Sequence, residues 1–144
     1  MKVRETMTRD VAIARPDQTI AEAASIMAKN DFGALPVGDN DRLVGMITDR
    51  DIALRAVAGG HGPATPVHQI MTHDIKYCFD DEDTAHVARN MGDQQVRRLP
   101  VVNRSKQLVG ILSLGDVALT HAQPAGQALA GISQPGGLHS QTDG

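Results

Sequence analysis

With 144 residues, 41% apolar and only 2% aromatic, the chain can bury one core or two small ones built from Val, Ile, Leu, Ala and Met. A formal charge of −3 with no long basic run gives no electrostatic case for nucleic acid or an anionic membrane. The first ten residues hold no apolar leader core, no apolar run is long enough to span a bilayer, and a single cysteine excludes an intramolecular disulfide, so a cytoplasmic location is expected.

The chain opens on "VRETMTRDV" at Val3, which returns as "VHQIMTHDI" at Val67, an offset of 64. A short extended piece follows, "VAIARP", matched later by "IKYCF". The next element is a helix whose start is marked by Thr19 as N-cap and Glu22 three residues on, a capping box, with Ile20, Ala23, Ala24 and Met27 at helical spacing. "ALPVG" then reads as a strand, "DNDR" as a turn, and "LVGMI" as a second strand, the two together a hairpin. "DIALRAV" forms a closing helix. "GGHGPATP", Gly59 to Pro66, is dense in helix breakers and connects to a second pass through the same order. Its strands are "RLPVV" and "LVGIL", its turn is "NRSKQ", and its last helix is "DVALTHA".

Matches at an almost constant offset over some 55 residues mark an internal duplication. Each copy is a β-α-β-β-α unit, too small to be comfortable alone, so an α/β (α+β) fold is expected in which the two copies pack sheet to sheet with pseudo-two-fold symmetry. The expected boundaries are residues 1–60 and 61–122 for the repeats and 123–144 for a loose, Gly- and Gln-rich tail, in which "AGQALAGI" can form a helical turn or two.

Two segments carry chemistry: "LVGMITDRD" and "LVGILSLGD". Thr48 with Asp51, and Ser113 with Asp116, have the spacing of helix N-caps, with the acid in the first turn. Two features set them apart from the Thr19–Glu22 box: the acid is the shorter Asp, and a glycine stands three residues before the hydroxyl, where backbone or ligand could approach closely. The same geometry suits a phosphorylated ligand, with free N–H groups and a hydroxyl for phosphate and a carboxylate for two ribose hydroxyls. Cys78 sits in an apolar stretch and reads as a small core residue rather than a reactive thiol. Six histidines without i, i+3 or i, i+4 pairing give no zinc pattern, so no metal is expected. No nucleophile-base pair and no phosphate-binding GxxxxGK[ST] loop is present, so an enzyme is not expected.

In order, spacing and duplication, "LPV", "LVG" and the G-h-h-[ST]-x-x-D segments resemble a pair of CBS domains, the arrangement called a Bateman module, over Val3 to about Ala122. The chain is most similar to small stand-alone bacterial proteins made only of two such repeats. The resemblance implies a non-enzymatic regulatory module that binds AMP, ADP or ATP (in some relatives S-adenosylmethionine or NAD) in clefts between the repeats, with no required cofactor. It implies Asp51 and Asp116 on ribose, and Thr48 and Ser113 near phosphate. Arg97 and Arg98 of the second copy match the basic position that contacts phosphate in AMP-binding relatives, where the first copy has Gly33 and Ala34 and only Arg50 as partial compensation. A surface pair, or a salt bridge to Asp80–Asp83, is the alternative for the two arginines. Adenine is expected against the first strand, Ile13 and Ala14 in one copy, Tyr77 and Cys78 in the other. A homodimer and an unidentified protein effector are the implied partners, with no nucleic acid and no membrane. The competing reading is a dimerisation or partner-docking module that binds no ligand.

Overall fold

The computed structural model describes residues 1–94 and 97–120; the segment 123–144, with the turn expected at "AGQALAGI", lies outside the described residues. The elements in chain order are helix α1 (Val3–Thr6), helix α2 (Ile20–Asn30), strands β1 (Ala34–Asp39) and β2 (Arg42–Thr48), and a π-helix (Asp51–Val57). Then come helix α3 (Val67–Ile70), strand β3 (Cys78–Phe79), helix α4 (Thr84–Gln94), strands β4 (Arg98–Val102) and β5 (Leu108–Ser113), and helix α5 (Leu114–Thr120).

Both expected hairpins form. β1 and β2 pair antiparallel from Ala34↔Thr48 to Asp39↔Arg42, with a bulge at Val37/Gly38. Asn40 and Asp41, both at positive φ, make the two-residue turn whose twist matches that of the strands. β4 and β5 pair from Arg98↔Ser113 to Val102↔Leu108, with their bulge at Val101/Val102. The extended piece before each helix is brief: Ala14 makes a single parallel bridge to Val37, and Cys78–Phe79 pair in parallel with Val101–Val102. Helix α2 begins as expected, the Thr19 hydroxyl accepting from the Glu22 N–H at 3.1 Å and the Glu22 carboxylate from the Thr19 N–H at 3.2 Å.

The chain forms two compact units. One is contiguous, Ala12–Ile75; the other joins Met1–Val11 to the described residues from Lys76 onward. Each unit therefore takes the body of one repeat and the leading segment of the other. In the contiguous unit Leu35, Val37 and Ile47 of the hairpin pack with Ile20, Ala23 and Met27 of α2 and with Val67, Ile70 and Met71 of the following repeat's leading segment. In the discontinuous unit Leu99, Val101 and Leu112 pack with Val87, Ala88 and Met91 of α4 and with Val3 and Met7 of the chain's first segment.

The sequence pattern assigns the leading segments to no element, and the structure gives them one. Each is one helical turn followed by an antiparallel bridge to the second hairpin strand. Thr72 and Met46 exchange both N–H···O bonds at 2.8 and 3.0 Å, and Thr8 and Ile111 do so at 2.9 Å each. In this way each β2-type strand gains backbone partners on its second edge.

Candidate functional site

At the end of β2 the Asp51 N–H donates to the Thr48 hydroxyl at 3.0 Å, and the Thr48 N–H donates to Asp51 Oδ2 at 3.0 Å. At the end of β5 the Asp116 N–H donates to the Ser113 hydroxyl, and the Ser113 N–H to Asp116 Oδ2, each at 3.1 Å. These are reciprocal capping boxes with the same bond pattern as Thr19 and Glu22. The shorter acid thus does not separate the motif from a cap; aspartate completes the box where a helix starts directly off a strand. Each cap uses Oδ2 of its aspartate, and all four side chains are half-buried. Among the described residues no hydrogen bond reaches Oδ1 of either aspartate.

The motif glycine also has a structural reason. A Cβ on Gly45 would lie 2.7 Å from the Met71 sulfur and 3.0 Å from the Thr72 carbonyl oxygen. On Gly110 it would lie 2.6 Å from the Met7 sulfur and 2.8 Å from the Thr8 carbonyl oxygen. What approaches the glycine is the Met-Thr pair of a leading segment.

Arg97 and Arg98 enter β4 as exposed residues beside this end of the hairpin. Arg98 stands directly across from Ser113, and the Arg97 carbonyl accepts from the Leu114 N–H at 3.0 Å, extending the ladder by one pair. The Arg97 guanidinium has no hydrogen-bond or ion-pair partner among the described residues. Within the acidic run Asp80–Asp83, Asp81 takes a bidentate pair from Arg104, with both N···O distances 2.8 Å.

In the first copy the same places hold Gly33 and Ala34. Ala34 stands across from Thr48, and the Gly33 carbonyl accepts from the Asp49 N–H at 2.9 Å. The cross-strand pair Arg97–Leu114 thus corresponds to Gly33–Asp49. Asp49 was not singled out from sequence, because only the register shows which residue it opposes. Arg50 is exposed on the turn after Asp49, its N–H donating to Asp49 Oδ1 at 2.8 Å.

Of the residues expected near adenine, Ala14 and Cys78 are buried and have only backbone to offer, while Ile13 and Tyr77 are exposed. Burial, with Glu82 and Asp80 nearby, pushes the Cys78 thiol up to about 12. Tyr77 meets Phe79 edge-on at 5.7 Å, and the Arg104 guanidinium lies 4.1 Å over the Phe79 ring, so that ring is covered. The site residues thus gather in two sets, each within one unit: Ile13, Ala14, Thr48, Arg50 and Asp51 in one, Tyr77, Cys78, Arg97, Arg98, Ser113 and Asp116 in the other.

Known proteins give this arrangement a family. The CBS domain family matches twice, over residues 3–57 and 67–120. The CBS domain-containing protein YhcV of Bacillus subtilis is 43% identical over 133 residues, 91% of this chain and 94% of that protein. Three solved structures are similar in fold. Hypoxic Response Protein I, crystallised with two coordinated zinc ions, has a TM-score of 0.75 at 34% identity and covers 83% of this chain and 98% of its own. The CBS domain pair of MJ0100, in complex with 5′-methylthioadenosine and S-adenosylmethionine, has a TM-score of 0.71 at 30% identity and covers 85% and 97%. CBSX2 in complex with AMP has a TM-score of 0.72 at 26% identity and covers 85% and 96%. No group of three or more His, Cys, Asp or Glu residues placed to hold a metal occurs among the described residues. With the duplicated fold, the paired motifs and these matches in agreement, the chain belongs to the CBS domain family, as a pair of such domains.

Proposed function

We infer that the chain is a non-enzymatic regulatory module that binds adenine nucleotide (AMP, ADP or ATP), with its repeats 1–60 and 61–122 as the two halves of that device. The observation that carries this reading is the second motif: a half-buried Ser113–Asp116 box that uses one carboxylate oxygen, beside Arg98 across the ladder and an Arg97 guanidinium without a partner among the described residues. A guanidinium can meet phosphate with two parallel charge-assisted hydrogen bonds, while the spare oxygen of Asp116 suits a ribose hydroxyl. The complexes of related proteins with AMP, 5′-methylthioadenosine and S-adenosylmethionine support an adenosine-containing ligand. Thr48, Arg50 and Asp51 hold the matching places in the first copy, where Gly33 and Ala34 stand in place of the two arginines, so phosphorylated ligand is expected to favour the second copy. Ile13, Ala14, Tyr77 and Cys78 border the adenine.

Calorimetric titration with AMP, ADP and ATP tests this. Ligand at a hundred times its dissociation constant stabilises the fold by about 2.7 kcal/mol, which a thermal shift also reads. No heat and no shift at millimolar nucleotide overturns the reading, as does an Asp116→Ala variant that binds unchanged.

A cytoplasmic homodimer belongs to the same proposal. Leu54 and Val57 on the π-helix are 53% and 68% exposed, an apolar pair suited to association. Sedimentation equilibrium should show a dimer that Val57→Asp weakens; a monomer at all concentrations removes this part.

A further inference from the structure

The two motifs differ most where Gly33–Asp49 replaces Arg97–Leu114. A Cβ on Gly33 would lie 2.6 Å from Asp49 Oδ2 and 2.9 Å from its Cγ. The Asp49 carboxylate therefore lies against the Gly33 α-carbon, in the space where the first atoms of any side chain at this position would go. In the second copy that space belongs to Arg97, and its cross-strand neighbour Leu114 packs into the core. Against the α-carbon of Gly33 the first copy holds a carboxylate, whereas at the matching position the second copy carries the exposed side chain of Arg97.

We propose that the two copies take different classes of adenosine ligand. The Arg97 copy takes a 5′-phosphorylated one. The Asp49 copy takes one whose 5′ group is cationic or neutral, a sulfonium or a thioether. The inference rests on the adenosine-binding reading above and adds a selectivity to it. Like charge is the discriminating element: a dianionic phosphate placed beside Asp49 is repelled, and no arginine at position 33 offsets it. A sulfonium in the same place is attracted, and a thioether is indifferent. The ribose contacts remain common to both copies, because the Thr48–Asp51 and Ser113–Asp116 boxes have the same bonds.

Titration of the full chain with AMP and with S-adenosylmethionine, singly and in sequence, decides the matter. AMP is expected to saturate at one per chain, and S-adenosylmethionine should then still bind the AMP-saturated protein at one per chain. Asp49→Asn, which keeps the size and removes the charge, should lower S-adenosylmethionine affinity at least about fivefold. Gly33→Arg with Asp49→Leu, which transplants the second copy's pair, should raise AMP to two per chain. Full displacement of S-adenosylmethionine by AMP overturns the inference, as does an unchanged S-adenosylmethionine affinity in Asp49→Asn. AMP binding with no S-adenosylmethionine binding overturns it and leaves the nucleotide reading standing. Absence of binding by both ligands overturns the two together.

Discussion

The sulfur of Met71 rests on Gly45, close enough that a Cβ there would come within 2.7 Å of it, and Met7 rests on Gly110 in the same way. Each contact joins a leading segment to the second strand of the hairpin in its own unit. Gly45→Ala and Gly110→Ala should each destabilise the fold by about 1–3 kcal/mol in urea unfolding. Gly110→Ala should cost more, because its added methyl also meets a backbone carbonyl at 2.8 Å, against 3.0 Å for Gly45, and a carbonyl moves less readily than a methionine tip. Two neutral substitutions would show that the segments have room to retreat.

Asp51→Glu and Asp116→Glu separate the cap from the ligand. Glu22 shows that glutamate closes the same box on a helix of this chain. The Glu variants should therefore stay within about 0.5 kcal/mol of wild type, whereas the Ala variants lose about 1 kcal/mol with the cap. Nucleotide affinity should fall in both series, because the longer side chain moves the second oxygen. Isothermal titration beside chemical unfolding reads the two effects apart. A Glu variant with full affinity would assign the aspartates to the cap alone.

The Cys78 thiol holds its proton up to about 12 in the folded chain, against a usual 9.0. Between those values the unfolded chain releases a proton that the folded chain keeps, so stability falls as pH rises above about 9. Wild type should lose more stability than Cys78→Ala between pH 8 and 11, as followed by urea midpoints. At pH 8 a thiol reagent should modify Cys78 only after unfolding. Prompt modification of the native protein would contradict this.

Asp81 is held below its usual 3.8 first by the hydrogen bonds from Arg104 and then by that charge. A depressed carboxylate stabilises above its ordinary value, and the contribution is lost as pH falls through the folded value. The stability gap between wild type and Asp81→Asn should be present at pH 6, narrow below pH 4, and shrink in high salt because the pair is exposed. A gap that persists at acid pH would assign the pair's effect to packing on Phe79.

Much of this was legible in the residues because it is local. The Thr19–Glu22 box, the two hairpins and the burial of Cys78 each follow from spacing or from an apolar run within a few positions. What stayed hidden depends on partners distant in sequence. "TMT" and "IMT" repeat in plain view, yet their role appears only when Met7 is found on Gly110, across some hundred residues. Asp49 looked like a variable motif position until the strand register set it opposite Gly33. The shorter aspartate set these motifs apart from the Thr19–Glu22 box, yet it closes the same box, because backbone conformation at a strand-to-helix junction is not written in side-chain length.

The exchange of leading segments also sets an order of assembly during synthesis. Ala12–Ile75 is contiguous and has all its strands, helices and core once residue 75 has left the ribosome. Met1–Val11, although made before Ala12–Ile75, belong with a hairpin whose last strand ends at Ser113. Val3 and Met7 must wait with their apolar side chains unburied while an entire unit folds after them. A segment made before the contiguous unit thus finds its place after it.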